Sequence, residues 1–133
     1  MEGKRIGPIS IGLEEKAVIA ILGKPSSRKG YEGGTSVLVF PKEGFLVAMT
    51  PMREKPSMKA TDISTTNSAY KTGKGIHVGS TAAEVTRAYG TPRVSSYEGK
   101  TSYAFLDNNN YLVITFELSG DKVSKIMVSY LEM

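Results

Sequence analysis

Cysteine is absent from the 133 residues, which removes disulfides, thiolate metal ligands and cysteine nucleophiles at once. Histidine is nearly so: His77 stands alone, and one imidazole completes neither a zinc site nor a Ser-His-acid set. It occupies the polar position between Ile76 and Val78, where a solvated strand-end residue is the simplest reading. No stretch of 18 apolar residues occurs, so no membrane-spanning helix is expected. Runs of like charge are missing as well. Seventeen Lys and Arg against thirteen Asp and Glu leave a net charge of +4 and a pI near 9.3, and the densest stretch, Arg53-Glu54-Lys55, contains an acid. A nucleic-acid binder is expected to show a basic stripe interleaved with aromatics. A mildly basic surface is more often simply that of a soluble protein, although it favours acidic partners by long-range steering.

The start, Met-Glu-Gly-Lys-Arg, is followed by Gly7, Pro8 and Ser10 and lacks the apolar core of a signal peptide. A cytosolic protein and a mature piece with its leader removed both stay open. A composition of 40% hydrophobic and 23% charged residues is that of a globular chain with a real core.

What the sequence does contain is a stretch that occurs twice. Ile9 to Pro25 falls on Ile76 to Pro92 at an offset of 67 residues, with Ile11 on Val78, Gly12 on Gly79, Gly23 on Gly90 and Pro25 on Pro92. In the first copy Leu13, Ala17, Val18, Ile21 and Leu22 share one face at helical spacing, Glu14 and Glu15 suit the positive end of the helix dipole, and Gly23 with Pro25 stops it. In the second, Thr81 and Glu84 have capping-box spacing ahead of Ala82, Val85, Ala88 and Tyr89.

The copies continue beyond the helix. Tyr31 to Ser36 matches Tyr97 to Ser102 at an offset of 66, Phe45-Leu46-Val47 falls on Tyr111-Leu112-Val113, and Lys59 to Ile63 falls on Lys122 to Ile126 at 63. Ser26 to Gly34 reads as a loop, 35–40 and 45–50 as a hairpin around Pro41-Lys42-Glu43-Gly44, 51–57 as a loop with two prolines, and 58–65 as a weaker strand. The expected class is α+β, as two tandem helix-plus-antiparallel-sheet repeats: residues 1–66, a polar linker at 67–75, and residues 76–133. Each unit reads helix, strand, strand, strand.

The apolar-x-apolar-Gly lead, the short helix, Gly-x-Pro, Leu112-Val113-Ile114-Thr115-Phe116 and the closing Gly-Asp-Lys-Val-x-x-Ile resemble the repeat unit of the β-lactamase inhibitory protein fold. They are also similar to the small lipoprotein of the outer-membrane barrel assembly machinery. The resemblance covers nearly the whole chain. It implies helix-on-sheet units in an extracytoplasmic protein, secreted, periplasmic or lipid-anchored, that works by binding another protein without catalysis.

Strand alternation points the same way. With Leu112, Ile114 and Phe116 packed under the helix, Tyr111, Val113 and Thr115 face outward. By the hairpin alignment Leu46 and Ala48 face inward in the first repeat, and Phe45, Val47 and Met49 outward. Leu38, Phe40, Ala104, Leu106, Met127 and Lys125 complete the expected contact face. An antiparallel sheet with one wet side should alternate cleanly, and this one is apolar on both. Either the second face is buried, between the repeats or in a homodimer, or it is a docking surface for a partner protein.

Catalysis finds no foothold. Glu14, Glu15 and Glu84 serve helix starts, and Asp107 and Asp121 lie in turns. Asp107-Asn108-Asn109-Asn110 lacks the alternating carboxylates and terminal Glu of a calcium loop. Gly73-Lys74-Gly75 and Gly33-Gly34-Thr35 lack the phosphate-loop ending. The expectation is a protein-binding module with no cofactor and no metal, inhibitor-like in its narrowest form. The alternative is a structural domain of an envelope protein with the same face permanently buried.

Overall fold

The computed structural model describes residues 5–30, 34–52, 55–107 and 112–130, with backbone alone at 51–52, 55–58 and 107. In chain order the elements are β1 (Arg5–Ile6), β2 (Ile9–Ser10), α1 (Glu15–Leu22), β3 (Ser27–Gly30), β4 (Ser36–Phe40), β5 (Phe45–Met52), β6 (Lys55–Thr65), α2 (Ala82–Tyr89), β7 (Arg93–Tyr97), β8 (Lys100–Asp107), β9 (Leu112–Ser119) and β10 (Lys122–Tyr130). Eight of the strands form one antiparallel sheet in the order β3-β4-β5-β6-β10-β9-β8-β7, and β1 and β2 pair separately.

This corrects the expected class. The described chain is mostly β, 53% strand against 15% helix, and it is not two tandem helix-plus-sheet repeats. The sheets of the two halves are continuous, because β6 and β10 pair directly through Asp62↔Ser129, Ile63↔Val128, Ser64↔Met127 and Thr65↔Ile126. An isolated repeat would leave that edge of unpaired N–H and C=O groups exposed. Each half also carries a fourth sheet strand, β3 or β7. Their sequences, Ser-Arg-Lys-Gly and Arg-Val-Ser-Ser-Tyr, are fully exposed, so neither shows the in-out alternation that marks a strand. The proline-bearing stretch read as a loop belongs largely to strands as well: β5 runs to Met52 and β6 starts at Lys55. Beyond Met49, opposite Ser36 at the start of β4, no described strand pairs with the outer edge of β5, and an edge is where a strand tolerates proline.

Both helices lie on one face. Val18 and Leu22 of α1 and Val85 of α2 are buried in a single cluster with Leu38, Phe40, Phe45, Val47, Met49, Ile63, Ile114, Phe116, Ile126 and Val128 from the sheet. Ile6 and Ile9 from the β1–β2 hairpin close it at 0% exposure. Under α2 the rings of Tyr89, Phe105 and Phe116 meet at centroid distances of 5.3–6.0 Å. Phe45 meets Tyr70 edge-on at 4.7 Å. Fully burying a side chain of this size contributes roughly 1.5–3 kcal/mol.

The repeated Ile-x-(Ile/Val)-Gly lead has the same task twice. Gly12 N–H donates to Ala60 O and Ala60 N–H to Leu13 O, both at 2.8 Å; Gly79 N–H donates to Val123 O and Val123 N–H to Ser80 O at the same distance. Each lead-in thereby clasps the last strand of its own half. The helix starts then differ. At α2 the Thr81 hydroxyl accepts from Glu84 N–H at 3.2 Å while the Glu84 carboxylate accepts from Thr81 N–H at 2.9 Å, the capping box that the spacing predicts. Those Thr81 bonds, the backbone one foremost, hold the Glu84 carboxyl below its ordinary value. At α1 Glu14 stands at the N-cap without a side-chain cap bond and accepts from Lys59 Nζ at 2.9 Å.

Candidate functional site

On the side of the sheet away from the helices, two rows of side chains cross the strands, since directly opposed residues of an antiparallel pair share a face. One row runs Val39, Leu46, Ser64, Met127, Thr115, Ala104, Arg93. The neighbouring row runs Val37, Ala48, Asp62, Ser129, Val113, Leu106. Valine, leucine, methionine and alanine dominate both flanks, and Asp62, Ser64 and Ser129 make a polar notch at the β6–β10 seam. These side chains are half-buried or exposed, with Leu46 at 39% and Leu106 at 49%. The described helices and the β1–β2 hairpin all contribute to the opposite, inner cluster.

The rim is polar. Lys125 lies opposite Glu117, which also pairs with Lys100 at 3.2 Å. On the other flank a bulge between Ala48 and Met49 brings Thr61 to Thr50 at 2.9 Å and to the Asp62 carboxylate at 3.2 Å, with Thr35 reaching Thr50 at 3.3 Å. Two hollows open where the hairpins end. One, of about 290 Å³, is lined by Val39, Phe40, Leu46, Ser64 and Lys125 among others. The second, of about 490 Å³, lies among Tyr89, Thr91, Pro92, Arg93, Ala104, Phe105, Leu106 and Val113.

The structure divides the expected contact residues sharply. Ala104, Leu106, Val113, Lys125 and Met127 do lie on the outer face, and Tyr111 falls outside the described residues. Leu38, Phe40, Phe45, Val47 and Met49 do not: they are 0–2% exposed, inside the core. Leu46 and Ala48, expected inward, face out. The cause is one residue of register. Phe40↔Phe45 closes the first hairpin and Asp107↔Leu112 the second, so Phe45 answers Leu112 rather than Tyr111, and a slip of one residue turns every side chain to the other face. The signal was in the spacing, since four residues separate Phe40 from Phe45 and four separate Asp107 from Leu112. Val37, Val39, Leu46, Ala48 and Arg93 were missed for this reason, or because β7 was not recognised.

The residues weighed for catalysis stay apart. Glu15 pairs with Arg28, Glu14 with Lys59, Glu84 caps α2 and Asp121 sits in the β9–β10 turn. The side chain of Asp107 is outside the description. His77 is half-buried in the loop before α2, its Nδ1 2.8 Å from Val78 O. Among the described residues no three His, Asp or Glu side chains gather as a metal site would need.

No known protein family matches the sequence, and no curated protein does. Among solved structures the fold is similar to that of an extracellular protein containing an SCP domain from Bacillus anthracis, with a TM-score of 0.61 at 10% identity over 90% of this chain and 44% of that one. It is similar also to a cysteine-rich secretory protein from Staphylococcus aureus, TM-score 0.54 at 12% identity, covering 90% and 43%. A DUF4309 family protein from Bacillus subtilis matches with a TM-score of 0.52 at 13% identity over 88% of this chain and 78% of that protein. The chain thus spans less than half of two of these proteins. At such identities the TM-scores show a shared fold alone; the neighbours include extracellular proteins. No described helix is long and apolar enough to cross a membrane.

Proposed function

We propose that this is a non-catalytic, extracytoplasmic protein-binding module whose contact surface is the outer face of the sheet. The observation that carries the reading is the pair of aliphatic rows running from Val37 and Val39 to Leu106 and Ala104 with none of the described elements packed over them. A sheet side turned permanently to water alternates to polar residues, and two apolar flanks on either side of a polar notch, bounded by a polar rim, suit a docking surface better than a wetted face. The neighbours support the placement outside the cytoplasm. They also support a module that accompanies other domains, because two of them are more than twice the length of the matched region while the DUF4309 protein is mostly that region. Inhibitor-like action is the narrower form of this proposal, and permanent burial in a homo-oligomer is its rival.

The test is a photo-crosslinking residue at Met127, in the middle of the outer face, compared with one at Lys16 on α1, in the protein produced by its own host. A discrete adduct from Met127 and none from Lys16 is expected, and it should fade when Ala48 is replaced by Arg. Equal yields from both positions would sink the reading, and an adduct of twice the protein's own mass would replace it with the homo-oligomer.

A further inference from the structure

The sheet is not closed off equally at its two ends. β7 pairs with β8 only from Tyr97↔Lys100 to Arg93↔Ala104, whereas β8 runs on to Asp107 and stays paired with β9 throughout. Among the described residues, the backbone of 105–107, beyond Ala104, therefore pairs on one side only. The corresponding place at the other end is filled: Ser27 pairs with Val39, and Ser26 adds a backbone N–H to Val39 O at 2.9 Å and a hydroxyl at 3.3 Å. At the β8 end the chain turns away through Thr91 and Pro92, and the 490 Å³ hollow lies in the place left open. Its walls are Leu106, Val113 and Ala104 on the outer face and Phe105 with Tyr89 on the inner. Arg93 stands at its rim, exposed and in none of the ion pairs among the described residues. No described acidic side chain lines the hollow.

An open strand edge beside an apolar hollow, with a free guanidinium at the rim, has a definite complement. We propose that the β8 edge takes an extended acidic-apolar segment of a partner protein, added as a short strand alongside 105–107. Its aliphatic side chain covers Leu106 and Val113, and a carboxylate one or two residues away meets Arg93. Main-chain hydrogen bonds to the sheet edge give affinity, and the side-chain hollow and charge give selectivity. The inference rests on the protein-binding reading of the same face and names its mode of recognition.

The test uses isotope-labelled whole protein and three synthetic peptides: acetyl-Thr-Val-Thr-Val-Glu amide, its Lys analogue in place of Glu, and an analogue with the central Thr replaced by Pro, which cannot pair along its length. The Glu peptide should shift the backbone amides of Phe105 and Leu106 and slow the hydrogen exchange of the one that points away from β9, with a Kd on the order of 1 mM or tighter for so short a probe. Arg93→Glu should weaken it roughly tenfold, as loss of a charge-assisted contact does, and should reverse the preference toward the Lys peptide. Leu106→Lys, at a position already half exposed, should weaken all the peptides, and the proline analogue should not bind. No amide response to the Glu peptide at several times that concentration overturns the proposal, as does equal binding of the Glu and Lys peptides. Protection, in the free protein, of the amide that points to the open edge, together with a dimeric mass by light scattering, would assign the edge to a second copy of the chain instead. If the peptides fail while Met127 still crosslinks selectively, strand addition falls and the docking face stands; failure of both removes the two together.

Discussion

At one end of the sheet β3 presents Ser27 to Gly30, with Arg28 tied back to Glu15 of α1 and Lys29 beside it. At the other end β7 presents Arg93 to Tyr97, leaving Val94 57% and Tyr97 78% exposed. Both are short, exposed edge strands, but the first is two cations and a glycine in four residues, the composition with which proteins blunt an edge against pairing, whereas the second has the single cation Arg93 beside exposed Val94 and Tyr97. The halves share helix, meander and clasp and diverge where they meet the outside. Interior positions are held by packing common to both, and the unguarded end is where a partner has room.

Four measurements sharpen that comparison, beginning with the largest effect. Val47→Lys places a charge in the core at 0% exposure and should cost on the order of 4 kcal/mol or more. Ala48→Lys, next in the chain but opposite Asp62 on the outer face, should cost about 1 kcal/mol or less. Urea melts decide between them. Ile114→Lys and Val113→Lys should repeat the contrast in the second half, and equal costs within either pair would break the assignment of faces. Next, Phe45→Ala and Phe116→Ala, one under each half, should each cost about 3–5 kcal/mol and shift a single transition. Two resolved transitions, one sensitive to each substitution, would mean that the halves unfold separately.

The helix starts differ by a smaller amount. Thr81→Ala removes the cap bond and should cost about 1 kcal/mol, whereas α1, which has no such bond, offers no equivalent loss. Because the Glu84 carboxyl is held below its ordinary value in the folded protein, its contribution is present above the usual carboxylate range and is lost as pH falls through the lowered value. Melting curves recorded from neutral to acidic pH should show the gap between wild type and Thr81→Ala narrowing toward acid. The smallest change is at the β7–β8 turn, where Glu98 and Gly99 have φ of 49° and 80°. That two-residue turn favours Asn-Gly, so Glu98→Asn should raise stability by a few tenths of a kcal/mol, read as a small upward shift in Tm.

Much of this was legible in the sequence, and the failures have a common physical origin. The helices could be read because caps, apolar spacing and Gly-x-Pro stops all agree, and at Thr81 and Glu84 the spacing fixed the hydrogen bonds themselves. The inner face of the second half could be read because Leu112, Ile114 and Phe116 alternate with less apolar neighbours. In β5 both parities are apolar, Phe45, Val47 and Met49 against Leu46 and Ala48, so hydrophobicity cannot tell in from out there and a one-residue misalignment reversed the face. β3 and β7 left no signal, since an edge strand in water buries nothing. The joining of the halves was invisible for another reason. Each final strand looks complete within its own half, and only the β6–β10 pairing shows that they are partners.

That seam also orders events in time. β6 ends at Thr65 and its neighbour β10 begins at Lys122, so on a growing chain the first half finishes its meander long before the strand that covers its edge exists. Until then β6 is an outer strand, and Lys55, Lys59 and Asp62 are the charges in its sequence that act against pairing with the wrong neighbour. Closing the seam joins residues far apart in sequence, the kind of contact whose loop entropy must be met before it stabilises anything. The separation predicts that docking of β10 comes late in folding, and that a chain stopped short of Lys122 aggregates more readily than the whole protein, as turbidity of the two would show.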